Sequence, residues 1–272
     1  CQCINHYKMK TSLIIATYNW PEALELVLLS VLQQSKFPDE IIIADDGSTN
    51  ETKQIIELYT KKFHIALKHI WQADNGFQKT SILNKGIAIA NSDYIIQIDG
   101  DIVLHPHFIK DHIQSAEQYT FIHGSRALLN QEITSIALQN NIVYFPFFHL
   151  GIKNRLNLIY SPILSKLFST KNTNLNGTRG CNFSFWKKDF ICVNGYNEQM
   201  IGWGKEDTEL SVRLMNKGLQ KYKLKFKAIC YHLHHHISSR EELNINNTIL
   251  NETISTKKTR CNKGIDQYAN RD

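Results

Sequence analysis

The chain has 272 residues, 42% hydrophobic and 21% charged, with a net charge of +6. That length suits one large domain or two joined lobes with ample core. The mild basic excess fits an anionic ligand or an anionic membrane surface, and it is too scattered to argue for nucleic acid. No run of about 18 apolar residues exists, and the polar start "CQCINHYKMK" lacks a signal-peptide core. The six cysteines, at 1, 3, 181, 192, 230 and 261, lack the paired C-x-x-C knuckles of zinc sites. They read as reduced thiols of a cytoplasmic protein.

From the N-terminus, "SLIIATY" predicts a strand ending near Tyr18. "PEALELVLLSVLQQS" follows with Pro21 suited to a first helical turn and apolar residues at helical spacing. Strand "EIIIADD", turn "GSTN" and helix "ETKQIIELYTKKF" come next, then strand "IALKHIW", helix "FQKTSILNKGIAIAN" and strand "DYIIQID". Such strand–helix repetition predicts a parallel sheet with helices on both faces. Ligands of such sheets bind beyond the carboxyl ends of the strands, where Tyr18, Asp45, Asp46, Trp71 and Asp99 all fall. "PHFIKDHIQSAEQ" predicts a helix and "YTFIHGS" a strand, whereas residues 131–175 are aromatic and basic without clear period. "GCNFSFW" reads as a strand, "KEDTELSVRLMNKG" as a helix ended by Gly218, "KLKFKAICYH" as one last strand, and 239–272 as a loose helical arm.

The run "YIIQIDGDIVL" carries Asp99-Gly100-Asp101 in its middle. Two readings fit: a hairpin turn, or carboxylates at a strand end holding a divalent cation against phosphate. Asp45-Asp46-Gly47-Ser48 can likewise be a turn with a helix cap. The dinucleotide fingerprint G-x-G-x-x-G is missing after the first strand, and "NGFQKTS" lacks the glycine frame of a P-loop. Phosphate charge must be met another way.

Taken in order, "TSLIIATYN", "IIIADDGSTN" and "NGFQKTSILNKGIAIANSDYIIQIDGD" resemble the nucleotide-sugar half of family 2 glycosyltransferases with the GT-A fold. "RGCNFSFWKKDFICVNGYNEQMIGWGKEDTELSVRLMNKG" resembles their acceptor half. Its "GWGKED" is similar to a segment shared by the β-1,4-galactosyltransferases and the GalNAc-transferring domain of chondroitin polymerase. The resemblance implies an α/β fold with a mostly parallel, Rossmann-like sheet and merged nucleotide and acceptor lobes. It divides the chain into a tail (1–10), a nucleotide-sugar half (11–105), an acceptor half (106–238) and a C-terminal arm (239–272).

The resemblance also implies residue roles. Tyr18 stacks on the base, Asp46 accepts a base N–H with Thr17 nearby, and Lys79 approaches the diphosphate at a helix start. A carboxylate accepting an imide N–H favours uracil, hence a UDP-sugar donor. The hairpin reading of Asp99 and Asp101 now gives way, because only three apolar residues precede His105-Pro106. Asp101 becomes a ligand of Mn²⁺ or Mg²⁺, and Asp99 holds ribose or a metal-bound water. His232 completes the metal site, with His234 as its alternative by strand period. Trp203 offers a flat face to a pyranose. Asp207 is the base that takes the acceptor proton, and Glu206 positions the acceptor.

Lys205 departs from the galactosyltransferase pattern, which has glycine there. Residues 141–168 have no counterpart in the resemblance. Their aromatic and basic mixture suits either a peripheral inner-membrane contact and a lipid-linked glycan acceptor, or a packed helix pair. The expectation is a cytoplasmic, metal-dependent, inverting transferase acting on a cell-surface glycan. Its rivals are a nucleotidyltransferase of similar fold and a non-catalytic sugar- or metal-binding protein.

Overall fold

The computed structural model describes residues 9–235 and 240–268. The first hundred residues alternate as their pattern predicts: β1 (Thr11–Thr17), α1 (Pro21–Leu32), β2 (Glu40–Asp45), α2 (Asn50–Thr60), β3 (Ala66–Trp71), α3 (Lys79–Ala88) and β4 (Tyr94–Asp99). After them come β5 (Ile102–Leu104), α4 (Phe108–Ser115), β6 (Thr120–His123), β7 (Ala127–Leu129), α5 (Gln131–Asn140), β8 (Ile152–Lys153) and α6 (Pro162–Phe168). The chain continues through β9 (Thr170–Asn172), β10 (Asn182–Trp186), α7 (Lys187–Cys192), α8 (Glu206–Asn216), β11 (Gln220–Lys223), β12 (Cys230–His232) and α9 (Leu243–Ser255).

The main sheet runs β3-β2-β1-β4-β10-β6-β11-β9. Strands β1 to β4 are mutually parallel, and β10 joins β4 antiparallel. The two halves of the chain therefore share one sheet. Period two decides which helix each strand residue meets. Leu13, Ile15, Ile41, Ile43, Ile96 and Ile98 pack against α1, α2 and α4 on one face. Ile14, Ala16, Ile42, Ala44 and Ile95 pack against α3, α7 and α8 on the other. Because both faces are covered, these strands read as continuous apolar runs. The α/β, GT-A-like architecture expected from the sequence is the one observed.

A second sheet, β5-β12-β7-β8, packs against α1 and α5. It explains the "DGD" turn. Strand β5 leaves β4 and pairs with β12, not back onto β4. No hairpin forms.

Three expectations are corrected. "KLKFKAICYH" is not one strand but two, β11 in the main sheet and β12 in the small one. Between them the backbone turns at Phe226 and Ala228, both at positive φ. The segment after 239 is not loose where it is described: α9 packs on α8, and Leu250, Cys261 and Ile265 are buried. Residues 141–168 are not a packed helix pair either. They hold the short β8, one turn of 3-10 helix at Arg155–Leu158 and the seven-residue α6. Among the described residues, no helix is long and apolar enough to cross a membrane.

Candidate active site

Parallel β1, β2 and β4 end side by side, so Thr17, Asp45 and Asp99 reach one edge of the sheet. Thr17 is buried and its carbonyl accepts the Asp46 N–H at 3.0 Å. Asp45 accepts the Ser48 N–H at 2.8 Å and bonds His69 Nε2 at 2.9 Å. Burial opposes its ionisation, but those two partners outweigh burial and lower its pKa. Asp46 accepts the Gln78 N–H at 2.8 Å and the Gln72 amide at 2.6 Å. Here burial wins and the pKa is raised. Tyr18 is half exposed beside them, its hydroxyl donating to Asp74 at 2.9 Å. A half-exposed aromatic side chain thus stands next to a buried carboxylate.

Lys79 opens α3 and reaches Asp99 Oδ1 at 2.5 Å. Burial works against the Lys79 charge, but Asp99, Asp207 and Glu206 outweigh it and raise its pKa. Burial likewise works against Asp99, and Lys79 outweighs it. Lys79 was expected to face a diphosphate; in this arrangement its charge neutralises Asp99.

Two residues on, Asp101 faces His232 Nε2 at 3.6 Å and His235 Nε2 at 3.3 Å. One donor atom from each of the three lies within 4.8 Å of the others. Asp101 Oδ1 is buried without a hydrogen-bond partner. An orphaned carboxylate oxygen is costly, and a cation would satisfy it. Burial lowers the His232 pKa despite Asp101, which keeps the imidazole neutral and able to ligate. These residues fit a divalent cation. His234, the alternative by strand period, does not join them. β12 stops at His232, and His234 is exposed with its backbone N–H on Thr134 Oγ1. His235 takes the place instead; the next histidine, 236, lies outside the described residues.

Glu206 and Asp207 open α8. Asp207 Oδ2 accepts the Gly180 N–H at 2.6 Å, and Oδ1 accepts the Tyr196 hydroxyl at 3.0 Å. The Gln97 amide donates to that hydroxyl at 2.9 Å. Gln97 lies on β4 two residues before Asp99, so one strand supports both Asp99 and the hydrogen-bond chain to Asp207. Gly180 is required by contact: a Cβ there would stand 2.3 Å from Asp207 Oδ1. Burial raises the Asp207 pKa, with Lys79 opposing. Burial, then Asp207, pushes Glu206 up to about 7. Glu206 Oε2 is a second buried oxygen without a partner.

The "GWG" before them is a pinned turn. Gly202 N–H donates to the Phe77 carbonyl, and the Asn246 amide on α9 donates to the carbonyls of Ile201 and Gly204. Trp203 remains 37% exposed, with the Arg240 guanidinium 5.4 Å from its ring centre. Lys205 has φ 76°, a left-handed conformation in which glycine sits without strain.

His235, Gln97, Tyr196, Gly180 and Arg126 were not found from sequence. Gln97 carried a signal, as a polar residue inside the buried run "YIIQID". Arg126, just before β7, donates from Nη1 to the Cys181 thiol at 2.9 Å and stands in no ion pair among the described residues. Its charge acts on both Asp99 and His232.

Comparison with known proteins shows the family and the fold. The glycosyl transferase family 2 profile matches residues 12–193, and the chain belongs to that family. A profile described as the N-terminal domain of galactosyltransferase matches residues 166–236. The chain is 26% identical to hyaluronan synthase of Pasteurella multocida, over 78% of this chain and 23% of that protein. It is 24% identical to chondroitin synthase of Escherichia coli (76% and 32%) and 25% identical to validoxylamine A glucosyltransferase of Streptomyces hygroscopicus subsp. limoneus (76% and 48%). It thus spans between about a quarter and a half of the length of these relatives. The fold is similar to GalNAc-T7 solved with UDP, GalNAc and Mn²⁺ (TM-score 0.63, 14% identity, 85% of this chain and 45% of that one). It is also similar to S. aureus TarS 1-349 in complex with UDP (TM-score 0.62, 17% identity, 96% and 68%). Family membership leaves the nucleotidyltransferase and non-catalytic readings without support.

Proposed function

We propose that the protein transfers Gal, GalNAc or GlcNAc from a UDP-sugar to a hydroxyl of a cell-surface glycan such as lipopolysaccharide or capsule, with inversion. One observation carries this reading. Asp99 is within electrostatic reach of both a three-donor cluster (Asp101, His232, His235) and a buried, hydrogen-bonded Asp207. A group that leaves as an anion and a group that takes a proton are thereby served at one strand edge. The UDP bound in GalNAc-T7 and in TarS supports the choice of nucleotide.

Tyr18 and Asp46 hold the uracil, and Asp99 holds the ribose. Asp101, His232 and His235 hold the cation, and two imidazoles favour Mn²⁺ over Mg²⁺. When bound, that ion neutralises charge on the departing diphosphate. Arg126, which makes no ion pair among the described residues, adds a guanidinium as a second answer to phosphate charge. Asp207 takes the acceptor proton, its oxygens aimed by Gly180 and Tyr196. Glu206 binds the acceptor hydroxyl, and Trp203 lies under the sugars. A lipid-linked acceptor would place the protein at the cytoplasmic face of the inner membrane.

The test is UDP release from each of the three donors by wild type and Asp207→Asn. The variant should bind UDP as wild type does and lose transfer by about 10²-fold or more. Turnover near the wild-type rate would remove Asp207 as the base.

A further inference from the structure

Residues 133–188 contain no aspartate or glutamate and seven lysines and arginines, where the chain's average would give about five acids. Within that stretch, Phe148, Leu150, Leu156, Ile163 and Leu167 are each at least 70% exposed. Eight of the twenty large exposed hydrophobic side chains among the described residues fall between 142 and 168. Such a concentration marks a contact surface, not the scattered exposure of an ordinary exterior.

The segment is held from its inner side. Phe145 and Ile152 are buried, and the Phe145 and Tyr231 rings lie 4.8 Å apart. β8 pairs with β7, and the Asn157 amide donates to the Arg126 carbonyl at 2.9 Å. The outer apolar side chains are therefore presented by a fastened scaffold. Phe147, Phe148, Arg155 and Leu156 line an open groove of about 600 Å³. Ile163 and Leu167 stand one turn apart on α6, with exposed Lys166 between them in sequence.

The chemistry selects the occupant. Five of the eight exposed side chains, Ile142, Leu150, Leu156, Ile163 and Leu167, are aliphatic and give a pyranose no flat face, while the aromatic Tyr144, Phe148 and Phe168 suit the interfacial zone of a bilayer as well as a sugar, so the mixture favours lipid over glycan. Apolar side chains interleaved with exposed Lys153, Arg155 and Lys166 suit a boundary that is apolar below and anionic above. We infer that the 142–168 surface docks on an anionic lipid bilayer, its apolar side chains entering the interfacial zone and its basic side chains meeting the headgroups. This deepens the proposed function and rests on it in one respect. β7 also pairs with β12, whose last residue is His232, so the docking surface adjoins the transfer site and would bring a lipid-linked acceptor to it.

The experiment is co-sedimentation with vesicles of phosphatidylcholine alone or mixed with phosphatidylglycerol. The wild-type chain should bind the mixed vesicles, and raised salt should weaken that binding. The double variant Phe148→Asp, Leu150→Asp should lose about tenfold or more in vesicle affinity. A second double variant, Lys153→Glu, Arg155→Glu, leaves every apolar side chain in place and should lose a similar factor if the first fails to fold. Calorimetric UDP binding of each variant reports the donor site separately, so failure of the transferase reading would show there and not in sedimentation. Equal vesicle binding by wild type and variants, or no preference for the anionic lipid, would overturn the inference. So would a concentration-dependent dimer split by the first variant, which would show a second copy covering this face.

Discussion

Glu206 shows how the site trades stability for chemistry. Its carboxyl ionises near pH 4.5 when exposed and at about 7 in the fold. Between those values the folded chain holds more protons than the unfolded one, so stability falls as pH rises through the window. Above about pH 7 the loss is complete, at up to about 3 kcal/mol for such a shift. Glu206→Gln removes the titration. In metal-free buffer it should gain on wild type in denaturant unfolding at pH 8 and lose that gain towards pH 4.5; a pH-independent difference would contradict the assignment. Gly180 makes the converse point, that geometry is set by what is absent. Gly180→Ala drives a methyl into Asp207. It should leave UDP affinity within about twofold and lower kcat by about 10²-fold, as loss of a positioned base does. Equal losses in UDP affinity and kcat would mean the fold, not the base, had been disturbed.

At the scale of elements, α8 carries both chemistry and load. Its first turn bears Glu206 and Asp207, and its middle buries Arg213 in a bidentate pair with Glu209 at 2.7–2.8 Å. Thr253 on α9 donates to the same carboxylate. Arg213→Ala strands that buried carboxylate and should cost about 3–5 kcal/mol by urea unfolding; a cost below about 1 kcal/mol would show the pair to be incidental. Which elements the sequence disclosed follows from their physics. β1, β2 and β4 are buried on both faces and announce themselves as apolar runs, and α1 declares its start with Pro21. The break between β11 and β12 was hidden because Phe226 and Ala228 turn at positive φ without glycine. The end of β12 decides against the alternative histidine. Period two carries from His232 to His234 only while a strand lasts, and β12 ends at His232, so the chain turns His235 towards Asp101. Asp101, His232 and Asp207 were legible because their segments resemble a family. Tyr196, Gly180 and Arg126 were not, because their roles arise from contacts across the sheet.

On the scale of the whole molecule, β10 joins the two halves into one sheet and α9 pins the turn before α8. The residues proposed for donor and acceptor are thus parts of one framework, and the candidate cation cluster lies where the chain passes from the main sheet to the small one, with Asp101 between β4 and β5 and His232 at the end of β12. We propose that this cluster creates the donor site. Calorimetry of UDP binding, with and without Mn²⁺, to wild type and Asp101→Ala tests it most directly. Binding that needs Mn²⁺ and disappears in the variant is the predicted result. UDP binding that is indifferent to Mn²⁺, or that survives in Asp101→Ala, would contradict it.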